Sequence, residues 1–582
     1  MSRNYAASEG ARVPTGGHGT DRRFRVALLS ILLLSAAVRL PSVMRGLEAG
    51  APLLQWRETD VTAIARNFQR EGTNILYPRI DWRGDGPGFV EMEFPIISWL
   101  IAVIRGMVGD LVQVGRVLSL CNALLTVIVF ALLARALLPS AGALAATAFL
   151  AFNPLFVQIS TAILPEPLML LGAVLCVFAF WRWLSSDAWA WFAIAGVAGA
   201  LAILAKAPAV HLGLVLLPLL IWQRGWRGLL DVRPWAMATM IVTPGILWYA
   251  HAHRFWLAYG NSIGISNEAH WTGLEVLRRP DLLFGLVRAE LVHVWRGGAA
   301  LIGLFALVAA WREPATRFAL AWLVATSVYL AAVARTTSQP WAFYYHIVAV
   351  PPAALLVGSG VSAALDLRPG RRTPAYVALV MAAGGAAAAG VWLLFGSRAA
   401  LVGAAAGVSG ALVGGLWWAY ESRRGVKPAR AGTPGWKTVA GQLDCIGLIG
   451  AVALTAGWVA IAIASVLPAT PPNELYACSQ RFAPLVRESA LLLSSSYSCF
   501  DPDGSPQATN MPFFFYWMDR KGFNICQEAQ SIASVEEFVG RGAEFFAIDR
   551  LSLELEPSFG EALDRRFERL SDCRGSRLYD LR

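Results

Sequence analysis

Lysine is almost missing from this chain: Lys206, Lys427, Lys437 and Lys521 are the only four among 582 residues. Charge of either sign is scarce, at 15% of residues against 56% hydrophobic, and the mean hydropathy is +0.52. A soluble protein of this length cannot hide that much apolar surface, so most of it must face lipid. The net charge of +10 would suit a nucleic-acid binder. The arginines, however, stand in short loops between apolar spans, as the positive-inside rule expects, and this excludes nucleic acid as the partner. The seven cysteines lack metal-ligand spacing, so no metal site follows from them. A cleavable leader is not expected either, because the first apolar run has no small-residue cleavage site and is long enough to stay as an anchor. Residues 1–23, polar and containing Gly and Ser, are expected to be a disordered cytoplasmic N-terminus.

What the chain has in quantity is long apolar runs. Stretches of roughly 17 to 25 apolar residues read as membrane helices. They fall near 25–44, 113–134, 141–161, 167–184, 188–205, 208–223, 235–252, 291–311, 316–334, 342–364, 375–395, 399–420 and 441–467. With that count every arginine-rich loop falls on one side, together with Arg22, Arg23 and Arg25, and this is the cytoplasmic side. The loop at 46–94, the turn at Glu166, the loop near 253–290 and the C-terminal tail fall on the other. Residues 95–108 are too short to span and read as an interfacial or re-entrant helix.

The expected fold class is therefore a polytopic α-helical membrane protein of about 13 transmembrane helices. A transmembrane domain covers 24–467, with a first periplasmic loop and juxtamembrane helices at 46–112. After residue 467 apolar runs shorten and alternate with helix-like stretches, so 468–582 is expected to be a small soluble α/β domain on the periplasmic side. It carries Cys478, Cys499, Cys526 and Cys573. An even number in a compartment where disulfides persist predicts two bridges, with three pairings open.

Two acidic clusters on the first outer loop, Trp56-Arg57-Glu58-Thr59-Asp60 and Glu91-Met92-Glu93-Phe94-Pro95, are the candidate chemistry. Val61, Ile64, Ala65 and Phe68 recur at helical spacing, an amphipathic helix at the membrane surface. Asp60 stands where that helix wants its N-cap, and Glu58 just before it, where the positive helix end favours its ionised form. Glu93 is presented on stiff extended backbone before Pro95 and is preferred over Glu91, which points the opposite way. Glu166, between Pro165 and Pro167, is the only charge in 159–171, and ionisable groups at membrane depth face protein or a cavity. Lys206 ends an apolar run on the same side, where a snorkelling lysine is the bland explanation and a point-charge phosphate ligand the functional one. Tyr345 and His346, in Trp341-Ala342-Phe343-Tyr344-Tyr345-His346, can hydrogen-bond a phosphate or a sugar.

In this order the motifs resemble the GT-C membrane glycosyltransferases, nearest to the aminoarabinose–lipid A transferases and their protein O-mannosyltransferase-like relatives. Glu58 with Ile64-Ala65-Arg66, Glu93-Phe94-Pro95, Glu166-Pro167, Ala205-Lys206-Ala207 and Tyr345 before Pro351 carry the resemblance. Asp519-Arg520-Lys521-Gly522-Phe523 resembles a segment in the soluble domain of related transferases. The resemblance implies the GT-C fold, a polyprenyl-phosphate sugar donor and an extracytoplasmic acceptor: lipid A, a polysaccharide, a glycolipid or a protein. It further implies inversion at the anomeric carbon and a place in the bacterial inner membrane. Glu58, Asp60 and Glu93 would be the catalytic group, with Glu58 as base, while Lys206, Glu166, Tyr345 and His346 bind substrate. No cofactor is predicted; a divalent cation between Glu58, Asp60 and Glu166 would follow the oligosaccharyltransferase branch, and the polyprenyl-phosphate branch does not require one. One departure stands out: the aminoarabinose enzymes have a lysine where this chain has Phe94, so a phosphate contact is lost there. The competing class is a secondary transporter or lipid flippase, against which stand the missing internal repeat and the gathering of charge at one face. A non-catalytic lipid-binding scaffold is a third.

Overall fold

The computed structural model describes residues 18–49, 52–263, 271–296, 298–366, 457–459, 461–463, 472–500 and 510–582. The helices, in order, are α1 (His18–Val43), α2 (Pro52–Glu71), α3 (Ile96–Val108), α4 (Leu111–Leu137), α5 (Ser140–Phe152), α6 (Pro154–Ser160), α7 (Glu166–Ser186) and α8 (Trp189–Ala205). They continue as α9 (Leu212–Arg224), α10 (Val232–Tyr259), α11 (Pro280–Ala289), α12 (Ala299–Ala309), α13 (Pro314–Ala332), α14 (Ala334–Thr337) and α15 (Val350–Asp366). Two 3-10 segments, Ala207–His211 and Pro340–Ala349, lead into α9 and α15.

The expectation of about thirteen spans is corrected. Among the described residues six helices are long and apolar enough to cross a membrane, or up to eight if each of two bent pairs counts as one span. The spans expected near 375–395, 399–420 and most of 441–467 lie outside the described residues, as do residues 1–17 of the expected N-terminal segment and the boundary at 467. The remaining differences have local causes. Residues 141–161 break at Asn153-Pro154, where the Asn153 side chain accepts from the amides of Leu155 and Phe156 and caps a new helix at a 52° bend. The run near 291–311 is the second half of a pair bent by 101°. α8 has only 17 residues, and α10 carries Arg233, His251, His253 and Arg254 along its length.

Small residues let these helices approach. α5 packs against α15, and a Cβ built on Gly358 would stand 2.5 Å from the Gly142 carbonyl oxygen. This is the small-residue packing that replaces the hydrophobic drive between helices in lipid.

The C-terminal domain is also corrected, from an α/β to a β-rich unit. Its centre is a five-stranded mixed sheet in the order β2-β1-β3-β5-β4, with β1 Leu491–Ser495, β2 Lys521–Ile525, β3 Ala543–Ile548, β4 Glu568–Cys573 and β5 Ser576–Asp580. β2, β1 and β3 are parallel; β5 and β4 add an antiparallel hairpin. That hairpin turns at Arg574 and Gly575, both at positive φ, as a two-residue turn between twisted strands requires. β4 is largely solvent-exposed and charged, so it carries no apolar run to announce it. The cysteines pair as Cys478–Cys573 and Cys499–Cys526, with Cα separations of 5.4 and 5.6 Å.

The loop between α2 and α3 docks this domain onto the membrane helices. Gly84 N–H donates to the Gly522 carbonyl at 2.6 Å and Gly522 N–H to the Asp81 carbonyl at 3.1 Å, so the loop covers the open edge of β2. Gly84 sits at φ +63°, and a Cβ there would meet the Phe523 ring at 2.4 Å. Only glycine fits this crossing.

Candidate active site

α2 carries most of the site, and it is buried nearly all round: Arg57, Glu58, Asp60, Arg66 and Asn67 are each at most 8% exposed. Buried charge must be paired, and each of these takes a partner from a different part of the chain. Helix α2 begins at Pro52, so Asp60 is not an N-cap and Glu58 does not precede the helix. Both expectations about local geometry are overturned, because polar residues in this helix are satisfied by tertiary partners rather than by capping.

Glu58 Oε1 accepts from the Ile163 amide at 2.9 Å and pairs with Arg116 Nη1 at 2.9 Å. Burial pushes its carboxyl upward against the opposing pull of Arg116 and the Ile163 N–H. Asp60 accepts from Trp82 Nε1 at 3.1 Å on Oδ1 and from Asn510 Nδ2 at 2.6 Å on Oδ2. Burial raises its pKa to about 6, with Arg57, Trp82 and Asn510 pulling the other way. Arg57 forms an ion pair with Glu93. Burial alone would raise Glu93; Arg57 and Lys206 more than offset it and hold it below the ordinary carboxylate range.

The membrane helices complete the cluster. The Glu93 loop is stitched to the end of α8 by Phe94 N–H donating to the Leu204 carbonyl at 3.0 Å. Two residues on, Lys206 forms an ion pair with Glu166 at the start of α7. Its ammonium lies 4.7 Å from the Tyr344 ring centroid and 5.0 Å from that of Tyr345, which stack on each other at 4.7 Å. Two cations thus alternate with two carboxylates under an aromatic lid. Among the described residues Arg57 Nη1, Glu58 Oε2 and Glu166 Oε2 are buried without a hydrogen-bond partner, which leaves one donor and two acceptors for a ligand.

A sequence profile for dolichyl-phosphate-mannose-protein mannosyltransferases matches residues 87–248, the stretch from the Glu93 loop through Glu166 and Lys206. The chain is similar in structure to ArnT from Cupriavidus metallidurans bound to undecaprenyl phosphate, with a TM-score of 0.55 at 16% identity, covering 97% of this chain and 98% of that one. It is also similar to the archaeal oligosaccharyltransferase AglB from Archaeoglobus fulgidus in complex with an inhibitory peptide and a dolichol-phosphate, with a TM-score of 0.53 at 13% identity, covering 95% and 73%. The fold is that of the GT-C membrane glycosyltransferases. No curated protein matches the chain by sequence.

Within this GT-C frame the structure gathers Glu93, Glu166, Lys206 and Tyr345 into one cluster, with Glu58 and Asp60 on the adjoining helix. His346 stands apart: it is fully buried, with Nε2 2.9 Å from the Thr337 carbonyl and Nδ1 2.7 Å from Glu290 Oε1. Glu91 pairs with His253 instead, at 3.0 Å. Among the described residues no three His, Cys, Asp or Glu side chains are arranged to hold a metal ion. Phe94 stands edge-on to Trp248 at 5.0 Å. Sequence reasoning missed Arg57, Tyr344, Arg116 and Asn510. Arg116 did leave a signal, as an arginine inside the apolar run at 113–134; Arg57 stood in plain view beside Glu58 but was not singled out.

Proposed function

We propose that the protein is a GT-C glycosyltransferase that moves a sugar from a polyprenyl-phosphate donor to an extracytoplasmic hydroxyl acceptor, with inversion. The observation that carries this reading is the buried chain Arg57–Glu93 and Lys206–Glu166 beneath Tyr344 and Tyr345, with an N–H of Arg57 left unpaired among the described residues. A lipid phosphate leaving group needs cations where its charge grows, and Arg57 supplies one from α2 where Phe94 cannot.

In the reaction, Glu58 takes the proton from the acceptor hydroxyl through Oε2, which has no hydrogen-bond partner among the described residues. The acceptor oxygen bonds to the anomeric carbon while the bond from that carbon to the phosphate oxygen breaks. The electron pair leaves with the polyprenyl phosphate, which Lys206, Arg57 and the Tyr345 hydroxyl receive. Glu93 and Asp60 orient the sugar and the acceptor. The donor lipid and its phosphate agree with the undecaprenyl phosphate and dolichol-phosphate held by the ArnT and AglB structures.

The test uses purified protein in detergent with undecaprenyl phosphate carrying labelled mannose, arabinose or aminoarabinose, and an envelope extract as acceptor source. Label is expected to pass from one of these donors to the extract, with undecaprenyl phosphate released in equal amount. Intact donor delivered across a vesicle bilayer would instead make the protein a flippase.

The site faces the extracytoplasmic side, in a bacterial plasma membrane, with the N-terminus cytoplasmic. Two disulfides in the domain docked against the site support this. An alkaline phosphatase fused after Arg582 is expected to be active in intact cells; activity only of a cytoplasmic reporter fused there would reverse the orientation.

A further inference from the structure

The C-terminal domain touches the acidic helix at one functional carboxylate. Asp60 is 1% exposed and has both oxygens clamped, Oδ1 by the Trp82 indole N–H and Oδ2 by the Asn510 amide. Trp82 lies on the loop between α2 and α3, and Asn510 lies in the C-terminal domain 450 residues along the chain from Asp60. This contact is not needed to attach the domain. The backbone pair at Gly84 and Gly522 does that, together with Asp81 held by Arg66 and Lys521, Arg70 paired with Asp519 at 2.8 Å, and Asn473 donating to Gln55 at 2.7 Å. Asn510 is also used on one side only: its Oδ1 is buried without a partner among the described residues. An amide that spends its donor on a carboxylate and keeps an acceptor free beside it is placed to meet a hydroxyl.

We infer that Asn510 is a positioning residue of the transfer site: the C-terminal domain holds Asp60 ionised and aimed through this amide, and offers the amide oxygen to the acceptor hydroxyl. The inference rests on the proposed transfer reaction for its purpose, though not for its geometry. A hydrogen bond donated to a carboxylate favours the charged form. Removing it therefore raises the pH at which Asp60 takes up a proton, and the acid limb of activity moves to higher pH. The other charges facing Asp60 are Arg57 on its own helix and Asp81 on the loop, and neither changes in the test.

The experiment uses the full chain in detergent. The Asp60 carboxyl is titrated by infrared difference spectroscopy, each protein against its own Asp60→Asn version, alongside the pH profile of sugar transfer. Wild type should show a midpoint near 6. Asn510→Ala should move that midpoint up by about one pH unit and slow transfer about twofold at neutral pH and close to tenfold well below pH 6, with recovery at higher pH. Arg70→Met, which loosens an exposed docking pair without touching Asp60, should leave the midpoint in place. An unmoved midpoint in Asn510→Ala, or an equal shift in Arg70→Met, would overturn the inference. The two readings also fail separately: a shifted midpoint in a protein that never cleaves donor sinks the transfer reaction alone, while transfer with an unmoved midpoint sinks the role of Asn510 alone.

Discussion

Glu58→Gln is expected to slow sugar transfer by about 10² to 10⁴, the usual cost of losing a general base, while binding of undecaprenyl phosphate stays near wild type. Glutamine keeps the shape of the side chain and can still accept from the Ile163 amide, which glutamate does at 2.9 Å. What it loses is the ability to take a proton. It also leaves Arg116 without its carboxylate partner, although that guanidinium keeps the Arg45 carbonyl at 3.1 Å. Folding must therefore be checked, and Glu58→Asp serves as the second variant, because it retains the charge and should recover part of the rate. Transfer at the wild-type rate in Glu58→Gln would remove Glu58 as the base and leave Asp60 as the remaining buried carboxylate on α2.

Lys206→Ala carries two large effects that can be separated. Lys206 is 7% exposed and Glu166 1%, and removing one partner of a buried ion pair costs about 3 to 5 kcal/mol because the other charge is left uncompensated. The same change removes a cation from the proposed phosphate site, and losing a charged hydrogen bond of about 1.5 to 3 kcal/mol is expected to weaken undecaprenyl phosphate binding roughly ten- to hundredfold. The double variant Lys206→Ala with Glu166→Gln relieves the stranded carboxylate, so stability should recover while affinity stays low. Affinity that returns with stability would make the lysine a structural partner of Glu166 and nothing more.

The membrane class and the candidate cluster were legible for one shared reason. In an apolar chain an isolated charge has a high cost, so Glu166 and Lys206 announce themselves against their surroundings. Glu93 was legible through the stiff backbone before Pro95. Continuity of the helices was harder to read. An apolar run records that a segment is buried, not that it is straight, and the capping of α6 by Asn153 or the bend before α12 leaves no trace in hydrophobicity. Asp60 was misplaced at a helix start because its partners were invisible: Trp82 is 22 residues away and Asn510 is 450. Arg57 was passed over because its role depends on Glu93, 36 residues on, reaching back across the loop. Local pattern cannot show a pairing that only the fold creates.

The most direct test of the central claim is the anomeric configuration of the transferred sugar, read by NMR from product made with a donor of known configuration. A single displacement, driven by one base on the acceptor and by cations on the departing lipid phosphate, predicts that every new glycosidic linkage has the opposite configuration to the donor. A product that retains the donor configuration would contradict it, as would a donor recovered whole after binding.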